Sequence, residues 1–253
     1  MSIQYKVDNY DDEQKIWRYM DFTKFISLIE SSSLFLSRAD FMSDPYEGSY
    51  TSIGKSMRKE LYSGVSDKVL NGLEKVHEKI KQYVYLNCWH ANNYESAAMW
   101  TLYLKSNEGI AIQTTLKDLQ QSLVNTDGFI LNIRDVKYID YINDKFDETN
   151  ILNAFLYKRK SFEHENEVRL LRGLFHYSLH EEILNDPDNL IMEGGFNIDV
   201  KLDTLINNIY IAPDAPKWFH NIVIDILKRY DKIYNINLST RVKKSDLSND
   251  PMY

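Results

Sequence analysis

VYLNCWHANNYESAAMWTLYLKSNEGIAIQ, residues 84–113, is the stretch on which the fold class turns. Val84 to Trp89 is a short apolar and aromatic run, which predicts a buried strand. Ala97, Ala98, Met99, Trp100 and Leu102 fill a helix from Tyr94 to Lys105. Gly109 to Gln113 then predicts a second strand. No glycine-rich phosphate loop joins these elements, so a doubly wound nucleotide fold is not indicated.

Working outward, Ile16 to Met20 predicts a first strand. Asp21 stands at a helix N-cap, and Phe22, Phe25, Ile26, Leu28 and Ile29 give the following helix one apolar face. Ser31 to Ser33 stop it, and Leu34 to Leu36 is a second short strand. Ser43-Asp44-Pro45-Tyr46-Glu47-Gly48 is a turn, because Asp, Pro and Gly all punctuate. Residues 54–82 form a charged helical insertion. Leu116 to Leu123 and Glu148 to Lys160 predict helices, and Phe129 to Tyr141 a long strand or hairpin. Glu167 to Leu174, Phe196 to Leu202 and Ile209 to Ala212 predict strands. Lys217 to Tyr230 is an amphipathic helix before a last strand near Ile236 to Leu238. The sum is an α+β fold: a single domain over 1–253 with a central, mostly antiparallel or mixed sheet and helical insertions.

Composition narrows the function. Of 253 residues, 43% are hydrophobic and 26% charged, which suits an ordered globular chain. The polar, acidic start MSIQYKVDNYDDEQK is not expected to act as a leader, no run is long enough to span a bilayer, and the lone Cys88 excludes a disulfide framework. A cytoplasmic setting is expected. The net charge of −7 argues against indiscriminate coating of nucleic acid. The 18 Tyr, 11 Phe and 4 Trp offer core volume and stacking surface.

Three blocks carry candidate chemistry. In Lys158-Arg159-x-x-Phe162-x-x-Glu165-x-Glu167-x-Arg169, alternation on a strand puts Glu165, Glu167 and Arg169 on one face. Arg169 orients one carboxylate there and leaves the other to act, unless the face is simply a set of paired charges. Cys88-Trp89-His90 with Glu95, Trp100 and Tyr103 runs from a strand end into a helix, a usual place for ligands and equally for core packing. Trp17-Arg18-Tyr19 with Asp44 and Glu47 forms the third. Asp44 and Glu47 suit a metal or a capped turn. His176 and His180, four apart, are a weak metal pair, and no metal is expected.

The runs WRYMDFTKFISLIESSSLFLSRADFMSDPYEG, CWHANNYESAAMWTLY, KRKSFEHENEVRLL and IYIAPDA resemble the bacterial family called domain of unknown function 2971, over about 17–215. The order of elements also resembles ADP-ribosyltransferase toxins. That second resemblance implies an enzyme using NAD, an intracellular toxin or anti-phage effector that modifies nucleic acid or protein. It implies Arg18 or Tyr19 holding NAD, Trp89, His90 and Trp100 lining a ring pocket, Arg169 pairing with phosphate, and Glu167 and Glu165 as catalytic carboxylates. The sequence departs from those toxins in lacking a His on the first strand and a Ser-Thr-Ser triplet. Two alternatives stand beside it. One is a nuclease with Asp44, Glu47, Glu165 and Glu167 holding magnesium. The other is a non-catalytic sensor of a nucleotide or phage protein.

Overall fold

The structure is a computed structural model that describes residues 4–5, 10–61, 63–64, 66, 78–124, 131–147, 150–173 and 191–249. His77, His176 and His180 lie outside the described residues, as does most of the insertion beyond residue 61.

In chain order the strands are β1 (Gln4–Tyr5), β2 (Lys15–Asp21), β3 (Ser33–Arg38), β4 (Val84–Ala91), β5 (Gly109–Thr115), β6 (Leu131–Asp135), β7 (Lys137–Ile139), β8 (Tyr157–Arg159), β9 (Glu167–Gly173), β10 (Gly195–Asp199), β11 (Asn208–Ile211) and β12 (Val242–Lys244). The α-helices are α1 (Phe22–Ser31), α2 (Ser52–Leu61), α3 (Ala97–Tyr103), α4 (Leu116–Ser122), α5 (Leu202–Leu205) and α6 (Lys217–Tyr234). The chain is α+β, with a central, mixed and mostly antiparallel sheet.

Contacts divide the chain into two compact units. One holds Met1–Asp8, Phe35–Cys88 and Thr126–Asn197; the other holds Asn9–Leu34, Trp89–Asn125 and Ile198–Tyr253. In the first unit, β9 lies between β6 and β4, and β6 runs antiparallel to it with Arg134 opposite Arg169. β9 is buried on both faces from Glu167 to Arg172, so the charged side chains of its alternating pattern lie inside the fold rather than in solvent. Ala39, Ile80, Val84, Leu86, Ala154, Phe155, Leu156 and Leu171 form this unit's core. Full burial of Phe155 alone is worth about 1.5–3 kcal/mol. In the second unit, β2 pairs β5 antiparallel over its whole length, β5 pairs β11, and β11 pairs β12 in parallel. Trp17, Tyr19, Met99, Trp100, Ala111 and Tyr210 pack on one face of it.

Local chemistry explains most boundaries. Ser96 caps α3 by accepting from Met99 N at 3.3 Å, and Thr115 caps α4 by accepting from Asp118 N at 3.1 Å. Asp21 precedes α1 without capping it; its carboxylate accepts from Lys105 N at 3.3 Å instead. Ser32, with φ of 46°, ends that helix in the left-handed region.

Several expectations are corrected. The helix expected at 148–160 is a 3₁₀ segment, Ile151–Leu156, followed by β8. Pairing of β8 with β7 overrides the helical pattern, because the extended chain is what buries Lys158 beside the carboxylates. The hairpin expected at 129–141 is two strands with different partners, split where Val136 N donates to Glu167 O at 2.8 Å. The last strand lies at Val242–Lys244 rather than Ile236–Leu238. Asp231 accepts from Leu238 N and Ser239 N, at 2.6 and 3.0 Å, and starts a 3₁₀ turn over Leu238–Arg241 in place of the expected strand.

Candidate functional site

Glu167 and Arg169 lie two apart on β9 and so share a face. The expectation that Glu165 shares the strand face with them is corrected. Glu165 ends the 3₁₀ turn Lys160–Glu165, and Asn166 with φ of 39° makes the bend into β9. The bend still returns Glu165 to the same charged centre.

That centre is built around two cations. Arg169 is 0% exposed, and its guanidinium grips two carboxylates. Nε and Nη2 donate to Glu167 at 2.8 and 2.9 Å, while Nη1 and Nη2 donate to Glu47 at 2.7 and 2.9 Å. Nη1 also donates to the Phe155 carbonyl at 2.7 Å. Lys158 Nζ lies 2.6 Å from Glu165 and 3.4 Å from both Glu167 and Glu47. Three carboxylates therefore face one guanidinium and one ammonium, an excess of one negative charge.

Glu47 reaches the centre from a rigid turn. Tyr46 N donates to Asp44 Oδ1 at 3.1 Å and Glu47 N to Asp44 O at 3.0 Å. Gly48 adopts φ of +68°, and a Cβ there would stand 2.4 Å from Phe155 Cε1, so only glycine lets the turn close on the core. Asp44 is tied in turn to Arg159, with Oδ2 3.2 Å from Nε and Oδ1 2.9 Å from Nη2.

The two β9-side carboxylates occupy unequal environments. Burial alone would raise Glu167, but Arg169 and Lys158 override it and hold this carboxyl well below its usual range. Glu165 is the more accessible at 8% exposure; burial dominates there and raises its pKa despite Lys158. Lys158 would be lowered by burial, yet Glu167 and Glu47 push it up and keep it charged. Burial and the nearby Glu167 raise the Cys88 thiol, which hydrogen-bonds that carboxylate, so Cys88 is no thiolate nucleophile. Tyr138 fixes the start of β9 by accepting from Glu167 N at 2.8 Å.

Of the residues expected to hold NAD, Arg169 lies in the first unit, fully buried with its guanidinium engaged by Glu47, Glu167 and the Phe155 carbonyl, so the expectation that it pairs with a phosphate is corrected. Arg18, Tyr19, Trp89, His90 and Trp100 lie in the second unit and divide between two sheet faces. Tyr19 packs edge-on against Trp100, with centroids 4.9 Å apart, and lies 6.3 Å from His90. Its hydroxyl accepts from Ser96 N at 2.9 Å, and Trp100 Nε1 donates to Glu95 at 3.0 Å. Strand alternation turns Arg18 and Trp89 to the opposite face, since Trp17 pairs with His90. One ring cannot stack on both faces, so the expectation of a pocket lined jointly by Trp89, His90 and Trp100 is corrected. Trp89 Nε1 is buried and has no acceptor among the described residues.

Glu47 and Lys158 complete the charged centre; the sequence grouped Glu47 with Glu165 and Glu167 only as a magnesium ligand, and the structure gives it to Arg169 and Lys158 instead. Lys158 stands inside the quoted motif, but Glu47 is 122 residues from Arg169, and only its acidic turn marked it. The carboxylates proposed for magnesium each face a Lys or Arg. Among the described residues no group of three or more His, Cys, Asp or Glu is arranged to hold a metal ion.

Compared with protein-family models, with curated proteins and with solved structures, the chain gives no match. Among the described residues no helix is long and apolar enough to cross a membrane.

Proposed function

We propose that this protein is an ADP-ribosyltransferase-like enzyme that takes NAD as substrate and modifies a nucleic acid or a protein, as a toxin or phage-defence effector would. The observation that carries the reading is the pair of carboxylates on one ammonium whose environments drive their pKa values apart. In the transfer, the bond from ribose C1′ to nicotinamide breaks and its electron pair leaves with nicotinamide. The acceptor atom bonds C1′, and its proton passes to Glu165, the accessible carboxylate with the raised pKa. Glu167 is 4% exposed and wholly engaged by Arg169 and Lys158. It is a positioning residue, fixing the ammonium that fixes Glu165. The excess negative charge of the centre favours the cationic ribose of the transition state.

A second reading, a non-catalytic nucleotide sensor, is favoured by the completeness with which Arg169 is bonded, as in a scaffold. Nicotinamide release separates the two. Wild type should consume NAD in the presence of nucleic acid or protein, and Glu165→Gln should be at least about 100-fold slower. Absence of NAD consumption by wild type with either substrate class leaves the sensor.

A further inference from the structure

We propose that Tyr46, Arg159 and Phe162 form a docking platform for a base and an adjoining phosphate of single-stranded nucleic acid. That this strand is the acceptor rests on the enzyme reading above; the binding does not. The Asp44–Gly48 turn that sends Glu47 into the charged centre sends Tyr46 outward, 42% exposed. An exposed aromatic is usually mobile, but this one is fixed. The Arg159 guanidinium lies 4.8 Å from its ring centroid, and Tyr141 meets its ring at 5.1 Å and 68°. Arg159 also lies over Phe162, at 5.3 Å, and Lys158 lies 4.8 Å from that same ring. Phe162 is therefore the shared neighbour of the platform and of the ammonium that holds Glu165.

The chemistry of the platform suits a nucleotide. Tyr46 offers a preordered aromatic surface, and ordering it adds little to the entropic cost of binding. Arg159 uses Nε and Nη2 on Asp44, so the Asp44 carboxylate fixes the guanidinium plane. Nη1 has no protein partner among the described residues, and the side chain is 38% exposed. That leaves the Nη1 N–H groups for a phosphate beside an exposed ring for a base. Duplex DNA does not present an unstacked base face; a single strand does. The net charge of −7 removes general electrostatic attraction, so stacking must supply most of the affinity.

The test is fluorescence anisotropy with labelled DNA and RNA single strands of about twelve nucleotides, a length suited to such a site. Wild type should bind one or both saturably, with a shallow salt slope near −0.7 per phosphate contacted. Tyr46→Ala should weaken binding roughly tenfold or more, while Tyr46→Phe keeps it, since the ring face is what a base uses. Arg159→Gln, which removes the charge, should weaken it less and flatten the salt slope by about one phosphate contact. The DNA and RNA arms identify the strand. Saturable strand binding by a wild type that consumes no NAD overturns only the enzyme reading. No saturable binding to either strand, equal binding by Tyr46→Ala, or equal displacement by heparin, which has no bases, overturns the platform.

Discussion

Replacing Glu167 by Gln and Glu165 by Gln removes the same charge from the same centre, yet the two changes should affect stability unequally. Glu167 receives two Arg169 donors and lies 3.4 Å from Lys158. A glutamine keeps one acceptor for Arg169 and turns an N–H₂ toward the other donor. Arg169, fully buried, then depends on Glu47 alone for charge. Breaking a buried ion pair from one side costs about 3–5 kcal/mol, which for a chain of this length is a melting temperature lower by about 6–20 °C. Glu165 makes its 2.6 Å contact to Lys158 from a site whose burial disfavours the charged form. A glutamine there still offers an oxygen and relieves that penalty, so the change should stay within about 1 kcal/mol, or 2–4 °C. Thermal melts at neutral pH read both. The pH dependence has opposite signs. The folded pKa of Glu167 is depressed, so its stabilisation is complete above the usual value of 4.5 and is lost as the pH falls below it. The folded pKa of Glu165 is raised, so its contribution is present below 4.5 and is lost as the pH rises through the raised value. The gap between wild type and Glu167→Gln should therefore narrow on acidification below 4.5. Equal melting temperatures for the two variants at neutral pH would refute the reasoning.

Three further outcomes are expected. The pH profile of nicotinamide release should lose activity on its acid side at a pH above 4.5, the usual glutamate value, because Glu165 must be ionised to take a proton and burial raises it. Gly48→Ala should lower stability by roughly 1–3 kcal/mol, read by denaturant melts, because φ of +68° strains alanine and its Cβ would overlap Phe155. Glu95→Ala removes the acceptor for Trp100 Nε1, Ser245 Oγ and Asp246 N, so hydrogen exchange at Asp246 should speed up and the Trp100 emission should shift, while the first unit's amides keep their protection.

The sequence alone determined those elements whose stability is local or whose burial is complete. β2, β4 and β5 are legible as short runs rich in apolar and aromatic residues, and β9 from its alternation. α3 and α6 are legible because apolar residues recur at the helical period, although only the structure showed that Ser96 caps α3 and starts it at Ala97. The face shared by Glu167 and Arg169 followed from strand alternation. Tertiary structure decided the rest. Lys158 sits on a strand rather than a helix because β7 is there to pair with it. Asp231 on α6 caps a separate 3₁₀ segment, Leu238–Arg241, through a contact that neighbouring residues do not announce. Glu47 meets Arg169 across 122 residues, and only the fold reports which of several acidic turns arrives at a buried guanidinium. Period and propensity act over a few residues, whereas the charge balance that sets Glu165 and Glu167 apart depends on groups joined only by folding.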